Sequence, residues 1–198
     1  MDGATHLCAL AMEPETRAVA RGLRRRDPDL LEALISQYEY RLYRYLLYLT
    51  SSEDAARDLF QETWLRVLAR GRQYDGVSRF EPWLFSIARH LVIDASRRRS
   101  VESLDEMRDT AAGTGQEPRA PEDASPLTAY SNQELATRLG CILGRLPAVY
   151  REVLLLRFRE DMTIEEIAAV IRSPISTVKS RLYRGLSAAR DFIEEQQP

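Results

Sequence analysis

The chain has 198 residues, 44% of them hydrophobic, and a formal net charge of −2. This length can bury one or two small cores, and the sequence holds no apolar run long enough to cross a bilayer. The first residues show neither a basic start nor a long apolar stretch, so we expect a cytoplasmic protein without a secretory signal.

The two cysteines, Cys8 and Cys141, are too few and too far apart for a disulfide framework. His6 stands close to Cys8, but the sequence offers no second pair of metal ligands to go with them. We therefore expect neither a metal nor another cofactor.

Charged residues are segregated along the chain. Arginines cluster at 24–26, at 97–99 and between 172 and 190, whereas acids cluster at 53–62 and 102–123. The small net charge argues against a nucleic-acid partner, but local basic stripes favour one. This separation predicts two kinds of partner.

Residues 1–27 show no strong period, and they either fray or form an accessory helix. Beyond them, helical spacing of apolar residues predicts three helices in succession. Asp27 and Pro28 open the first, which runs from Asp29, and the others begin at Ser51 or Ser52 and at Pro82. Gly71 ends the second helix and opens a loop that leads to the third. The second helix is expected to face the core with an apolar stripe of Leu59, Phe60, Trp64, Val67 and Leu68. These helices predict a first domain over residues 28–99.

Residues 100–130 hold several glycines and prolines, many acids and few large apolar groups, which is typical of a flexible linker. Helical spacing resumes after it and predicts four more helices in a second domain over residues 131–195. No alternation typical of strands persists, so the predicted fold is all-α, with two small helical domains joined by the linker.

The stretch from Thr163 to Arg190 is typical of a helix-turn-helix. Thr163 and Glu166 have the spacing of a capping box for a short first helix. Pro174 interrupts the helical pattern, and Ser176 is expected to cap the second helix.

The second helix of this motif has two different faces. Apolar residues at four-residue spacing are expected to pack inward, namely Val178, Leu182 and Leu186. Cationic and hydroxyl side chains share the outward face, namely Lys179, Ser180, Tyr183 and Arg184. Such a face can bind phosphates and base edges in a major groove, although an ordinary helical hairpin with a solvated face has the same pattern.

Two stretches carry several motifs in a fixed order. DL.QET.LRV and WL..IAR lie between Asp58 and Arg99, and LP...REV..LR and TVKSRL.R lie between Leu146 and Gly185. As a set they resemble bacterial sigma factors of the extracytoplasmic-function (ECF) group. The resemblance implies sigma region 2 as a bundle of three to four helices and sigma region 4 as a helix-turn-helix bundle. It also implies an alternative sigma factor, active under stress, that directs core RNA polymerase to promoters and assists promoter melting.

The resemblance further implies a set of partners. Core RNA polymerase would be bound through the clamp helices of its beta-prime subunit and through its beta flap, with promoter DNA and an anti-sigma factor as further partners. The acidic, amide-bearing face of the second helix is expected to bind the clamp helices, through Asp54, Asp58, Gln61 and Glu62. Neither membrane insertion nor a small-molecule substrate is implied.

At the minus-ten promoter element the resemblance implies contacts from the loop before the third helix and from that helix. The matching residues are Tyr74, Asp75, Gly76, Arg79, His90, Arg97, Arg98 and Arg99. Tyr74 matches the aromatic position that lines the pocket for an extruded base, while cations can hold the strand's backbone. Phe80 and Trp83 are expected in the core.

At the minus-thirty-five element the resemblance implies binding by the helix-turn-helix, through Arg172, Ser176, Thr177, Lys179, Ser180, Tyr183 and Arg184. Three positions depart from the family's pattern. His90 replaces an asparagine and predicts a changed base preference, and Arg57 stands at a site that is often acidic. Arg172 replaces a glycine, where a positive φ costs about 1 kcal/mol, and it adds a cation near DNA.

Read from the residues alone, a protein of another class stays open: a regulator that binds duplex operators as a dimer without polymerase. Tight autonomous binding would mark such a regulator, whereas a sigma factor acts only with core enzyme. An enzyme is a weaker third reading, because His6 and His90 lie apart and no nucleophile motif or phosphate-binding glycine loop appears. We therefore expect no catalytic residue.

Overall fold

The computed structural model describes residues 15–102 and 139–194, and within these ranges the chain is helical and contains no strand. In the first range, α1 covers residues 15–25, α2 covers Pro28–Thr50, α3 covers Glu53–Arg70 and α4 covers Phe80–Glu102. In the second, α5 covers residues 139–145, α6 covers Ala148–Phe158, α7 covers Ile164–Ile171 and α8 covers Ile175–Glu194. The predicted all-α fold is confirmed.

Local sequence sets the starts of the helices in the first unit, α1–α4. The carboxylate of Asp27 accepts from the backbone N–H groups of Asp29 and Leu30, and Pro28 occupies the first helical position of α2. Of the two serines predicted to cap α3, Ser52 does so by accepting from the N–H of Ala55. These are the caps that the sequence predicts.

Helix α1 adds a fourth helix to a unit for which three were predicted. Its residues Val19, Ala20 and Leu23 are buried and belong to the hydrophobic core. The sequence pattern did not reveal this because α1 buries a narrow stripe of partly small side chains. The part of the chain predicted as an unexplained extension therefore contributes to the core.

The second unit, α5–α8, contains the predicted helix-turn-helix. Thr163 and Glu166 form the capping box at the start of α7. Arg172 ends α7 with φ 50° and ψ 52°, the left-handed conformation that favours glycine. The prediction that Ser176 caps α8 is wrong, because α8 begins at Ile175 and the N–H of Val178 bonds to the carbonyl of Pro174.

The inward face of α8 also differs from the prediction at one position. Val178 is buried, whereas Leu186 remains 45% exposed. Gly185 takes the buried place instead, since a Cβ added there would lie 3.2 Å from atoms of both Tyr150 and Leu154. The backbone of α8 thus comes close to α6, and the next turn of α8 is left outside the core.

The two units pack against each other, with α4 beside α7 and α2 beside α6. A single hydrophobic cluster runs through both, and it includes Leu42 and Phe85 of the first unit together with Met162 and Ile167 of the second. Most of the predicted linker, residues 100–130, lies outside the described residues. Helix α4 extends into the start of this linker and ends at Glu102.

Candidate nucleic-acid interface

The outward face of α8 is open to solvent. Tyr183 is 78% exposed, and Lys179, Ser180 and Arg184 are exposed beside it. In the turn before α8, Arg172 is exposed, while the early α8 residues Ser176 and Thr177 are exposed and half-buried respectively. All seven predicted minus-thirty-five residues therefore lie in the turn or on α8, and none is buried.

The loop over residues 74–79, here called the 74–79 loop, is closed and ordered by its own hydrogen bonds. The hydroxyl of Tyr74 donates to the carbonyl of Ser78 at 2.6 Å. The carboxylate of Asp75 accepts from the N–H groups of Val77 at 2.9 Å and of Ser78 at 3.4 Å. The loop thus folds around its polar residues and leaves Val77 78% exposed at its tip.

The ring of Tyr74 lies in the core and is 1% exposed. It packs against the rings of Phe80 and Trp83 at centroid distances of 5.5 Å and 5.3 Å. An extruded base has no access to this ring in the present conformation, so the expected pocket at Tyr74 requires the neighbouring rings to rearrange. Phe80 is buried as predicted, while Trp83 is half-buried.

Burial raises the pKa of Tyr74 above its ordinary value of 10.0, and the nearby carboxylates of Asp75 and Glu81 act in the same direction. The phenol therefore stays protonated at neutral pH, and its hydroxyl remains a donor to the loop.

Arg79, at the end of the same loop, is held by the second unit. Its guanidinium donates to the carbonyl of Asp161 at 3.2 Å and lies 3.5 Å from the Glu166 carboxylate. Glu81 lies at 3.5 Å on the first-unit side. Arg79, one of the predicted minus-ten residues, is therefore already paired with acidic side chains next to the helix-turn-helix.

The remaining predicted minus-ten residues lie on α4. His90 is half-buried, with Nδ1 hydrogen-bonded to the carbonyl of Ser86 one turn earlier. Arg97 and Arg98 are exposed near the end of the helix, and Nε of Arg98 donates to the carbonyl of Asp94. The side chain of Arg99 lies outside the described residues.

The predicted polymerase-binding face lies on α3. Asp54, Asp58 and Gln61 are exposed, and Glu62 is half-buried and ion-paired with Arg66 at 2.7 Å. Two apolar side chains continue this face at helical spacing, with Leu65 59% and Leu68 38% exposed. The inward placement predicted for Leu68 is wrong, since it lies in register with the exposed Asp58, Gln61 and Leu65.

In the described part of the chain, ion pairs at three glutamates join the units, each with the acid on the second unit and the arginine on the first. Glu152 pairs with Arg89 at 2.7 Å, Glu160 with Arg41 at 2.8 Å, and Glu166 with Arg79 at 3.5 Å. In addition, Tyr45 donates its hydroxyl to Glu152 at 3.1 Å, and Arg151 donates to the carbonyl of Tyr48 at 2.7 Å.

The acids of this interface differ in burial from ordinary surface acids. Only 7% of the Glu152 side chain and 5% of the Glu160 side chain are exposed. Burial raises the pKa of Glu160 above its ordinary value of 4.5, although Arg41 acts in the opposite direction. Burial and the Glu152 carboxylate likewise raise the pKa of Tyr45.

None of the helices in the described part of the chain combines the length and apolar character that a membrane crossing requires. In residues 15–102 and 139–194, no three or more His, Cys, Asp or Glu side chains are grouped so that they could hold a metal ion.

Comparison with known families identifies both units. Residues 34–101 match Sigma-70 region 2, and residues 136–188 match Sigma-70, region 4. SigE of Mycolicibacterium smegmatis, an ECF RNA polymerase sigma factor, is 33% identical over 82% of this chain. The chain belongs to the family of ECF RNA polymerase sigma factors. Proteins of this family are transcription initiation factors that direct RNA polymerase to promoter DNA.

Other relatives of this sigma factor support the same assignment. SigW of Bacillus subtilis is 26% identical over 93% of this chain and 100% of its own length, whereas the match to SigE covers only 61% of SigE. Two solved structures share the fold. RpoE of Bartonella quintana, in complex with the anti-sigma factor NepR, has a TM-score of 0.69 at 23% identity and covers 84% of this chain and 98% of its own. CnrH, in complex with the cytosolic domain of CnrY, has a TM-score of 0.62 at 20% identity, covering 94% and 99%.

Proposed function

We propose that this sigma factor directs core RNA polymerase to a promoter, and that each of its two units recognises a different promoter element. The second unit binds the duplex minus-thirty-five element through α8, and the first binds polymerase through α3 and the opened minus-ten strand through the 74–79 loop and α4. The observation that carries the proposal is the outward face of α8, a row of exposed cationic, hydroxyl and aromatic side chains on the second helix of a helix-turn-helix.

The chemistry of α8 supports duplex binding. Arginine and lysine neutralise phosphates and can donate to guanine edges, and serine and threonine hydroxyls reach either a base or the backbone. The buried Val178 and Gly185 fix the rotation of α8 about its axis, so Lys179, Ser180 and Arg184 all point away from the core. The helix presents this face without any rearrangement.

The α3 face supports polymerase binding through two kinds of contact. Exposed carboxylates of Asp54 and Asp58 supply charge that sets orientation and association rate. Exposed Leu65 and Leu68 supply apolar area that becomes buried in a complex. Exposed leucines beside acids on one helix face are better explained by a partner than by solvent alone.

The minus-ten contact needs a conformational change. Arg79 is paired with Glu166, and Tyr74 is enclosed by Phe80 and Trp83. We propose that polymerase binding separates the units and frees Arg79 for a phosphate, while a rearrangement of the Phe80 and Trp83 side chains uncovers the Tyr74 ring for a base. Arg97, Arg98, Arg99 and His90 then follow the strand along α4.

No step of this function makes or breaks a covalent bond in the chain's own sites. We assign nucleotide chemistry to the polymerase, so the chain has no catalytic residue, and we place it in the cytoplasm with the polymerase. In one of the solved structures named above, the sigma factor RpoE is in complex with the anti-sigma factor NepR. We propose that an anti-sigma factor of this kind also regulates the present chain.

The test is transcription from a promoter library by purified core polymerase, with and without the chain. We expect transcripts to start at a defined distance from two shared sequence elements, and only when the chain is present. Asp58→Asn should weaken core binding, whereas Asp29→Asn, an exposed acid on α2, serves as the matched control and should not. The proposal is wrong if the chain binds a duplex operator tightly but never changes where core polymerase starts.

A further inference from the structure

We propose that helix α1 is a positioning element for the 74–79 loop, which it holds through Thr16 and Ala20 so that Val77 is presented at a set place to the promoter strand. The proposal rests on the minus-ten function proposed above for this loop. It gives a role to a helix that the sequence pattern left unexplained, and it adds Val77 as a specificity-determining residue.

Three residues of α1 contact the loop and the turn before it. The hydroxyl of Thr16 donates to the carbonyl of Gly76 at 2.7 Å, in a buried contact between residues 60 positions apart. A Cβ added to Gly76 would lie 2.7 Å from the Cβ of Ala20. One added to Gly71 would lie 3.0 Å from the Cβ of Leu23.

These contacts share one face of α1. Thr16, Ala20 and Leu23 follow four- and three-residue spacing, so they form a single stripe that spans from the tip of the loop to the turn before it. Gly76 has φ +73°, and both this angle and the approach of α1 exclude a side chain there. The backbone of the loop is therefore set directly against the backbone and small side chains of α1.

The contact with α1 is immediately next to Val77. The carbonyl of Gly76, the residue before Val77, accepts from the Thr16 hydroxyl, and the N–H of Val77 donates to the Asp75 carboxylate. The carbonyl of Ser78, the residue after Val77, accepts from the Tyr74 hydroxyl. The side chain between these anchors is apolar and 78% exposed. A rigid backbone thus carries an exposed valine with few rotamers, which costs little entropy to place against a partner.

An apolar tip of this kind suits an unpaired strand. Base faces and the thymine methyl group accept apolar contacts, and apolar side chains are used elsewhere as wedges between base steps. Because the contact depends on position, a shift of the loop on α1 changes which base is favoured. Thr16 itself touches no DNA in this account and acts only by holding Gly76.

The test compares Thr16→Val, Thr16→Ser, Val77→Ala and Val77→Thr in holoenzyme transcription from a library randomised at the minus-ten element. Thr16→Val keeps the shape and removes the donor, and it should lower discrimination at one or two minus-ten positions by about two- to tenfold, the range set by one hydrogen bond. Thr16→Ser keeps the hydroxyl donor that Thr16→Val lacks, and it should keep the preference of the parent chain. Both Val77 variants should change preference at the same positions.

Two further readouts separate positioning from general destabilisation. Core affinity and minus-thirty-five preference should be unchanged in every variant, and so should the melting temperature of Val77→Thr. If Thr16→Val unfolds the chain, Ala20→Ser, which places a hydroxyl against Gly76, is measured in its place with the same expected result.

The outcomes distinguish this proposal from the function on which it rests. If Val77 variants change the minus-ten preference and Thr16→Val and Ala20→Ser do not, the role of α1 is refuted and the loop's function stands. If none of the variants, Val77 included, changes the preference, the 74–79 loop does not read the minus-ten element and both proposals fall. If Thr16→Ser fails to keep the preference, the hydrogen bond is not what positions the loop.

Discussion

The two proposed DNA-binding surfaces differ in how far their side chains are exposed in the free chain. On α8 the cations and Tyr183 are exposed, and the inner side of the helix is fixed by Val178 and Gly185. In the first unit Arg97 and Arg98 are exposed, but the loop residues are engaged, with Arg79 paired to Glu166 and Tyr74 buried. The surface proposed for duplex DNA is therefore preformed, whereas the surface proposed for an opened strand is closed at Tyr74 and Arg79 by the chain itself.

This difference fits what each surface is proposed to bind. Duplex DNA exists before initiation, so a rigid helix face can meet it without a conformational cost. An unpaired minus-ten strand appears only during initiation, and a permanently open aromatic and cationic pocket would expose apolar surface and unpaired charge in the meantime. We propose that contact with the second unit keeps Arg79 paired until polymerase binds, while Phe80 and Trp83 cover Tyr74.

The largest expected effect is the loss of the contact between the units at Glu152. Glu152→Ala leaves Arg89 and the hydroxyl of Tyr45 without their acceptor in a site where both are largely buried. Removing one partner of a buried ion pair costs about 3–5 kcal/mol. We expect a clearly lower midpoint in urea unfolding, or an earlier separate transition of one unit.

Arg57→Ala is the control for this change, because its pair with Asp54 is solvent-exposed and should contribute nothing measurable. Should Glu152→Ala unfold at the same urea concentration as the parent, the packing between the units does not hold in solution and cannot restrain Arg79.

The second effect concerns α8. Arg184→Ala removes an exposed cation from its outward face, and the affinity for minus-thirty-five duplex should fall by about 1–3 kcal/mol if the contact is to a base edge. If the contact is to a phosphate, the loss should be uniform across sequences and the salt dependence should decrease by about one counterion. Fluorescence anisotropy at several salt concentrations measures both.

Arg190→Ala removes the same charge from a different side of the same helix and should have a smaller effect. Equal losses from the two variants would mean that α8 attracts DNA only through its overall charge, without a defined docking face.

A smaller effect is expected from Glu166→Gln. Glutamine keeps the capping box with Thr163, so α7 stays intact, but it removes the ion pair with Arg79. The pair is partly solvated, and its loss should weaken the contact between the units by no more than about 1 kcal/mol. We expect a modest gain in affinity of the free chain for a single-stranded minus-ten oligonucleotide.

Glu165→Gln, in the same turn of α7 and exposed, is the matched control and should leave that affinity unchanged. An identical response in the two variants would show that Arg79 is not restrained by Glu166.

The smallest effect is a pH dependence due to Glu160. Its pKa is raised by burial, so the packed state binds the proton more tightly than the separated state does. The contribution to stability is thus present below the ordinary value of 4.5 and is lost as pH rises through the raised pKa. Relative to Glu160→Gln, the parent should gain stability as pH falls toward that range, as followed by thermal unfolding. A difference between the two that grows in the opposite direction would contradict this.

Features set by neighbouring residues could be predicted from the sequence. The left-handed turn at Arg172 was expected from the resemblance to the family, which has a glycine there, but the caps at Asp27, Ser52 and Thr163 follow from side-chain chemistry within three residues. The helix-turn-helix and the exposed face of α8 depend on the same local rules. The start of α8 was misplaced, because Ser176 and Pro174 are both plausible first-turn residues and only the backbone geometry decides between them.

Features set by distant residues could not be predicted. The contact between Arg41 and Glu160 joins positions 119 apart, and that between Thr16 and Gly76 joins positions 60 apart. No spacing rule relates such pairs. Leu68 and Leu186 were predicted to face the core because their spacing fits an apolar stripe. The core contacts only part of each stripe, so both side chains remain exposed. Tyr74 is an aromatic residue of the kind that can stack on a base, and only the packing of Phe80 and Trp83 shows that its ring is enclosed.

The most direct test of the contrast between the surfaces is to measure binding of the chain to a minus-thirty-five duplex and to a single-stranded minus-ten oligonucleotide, before and after adding core RNA polymerase. The account predicts that the free chain binds the duplex and not the single strand, and that the holoenzyme binds both. Tight binding of the single strand by the free chain, equal to that of the holoenzyme, would contradict it.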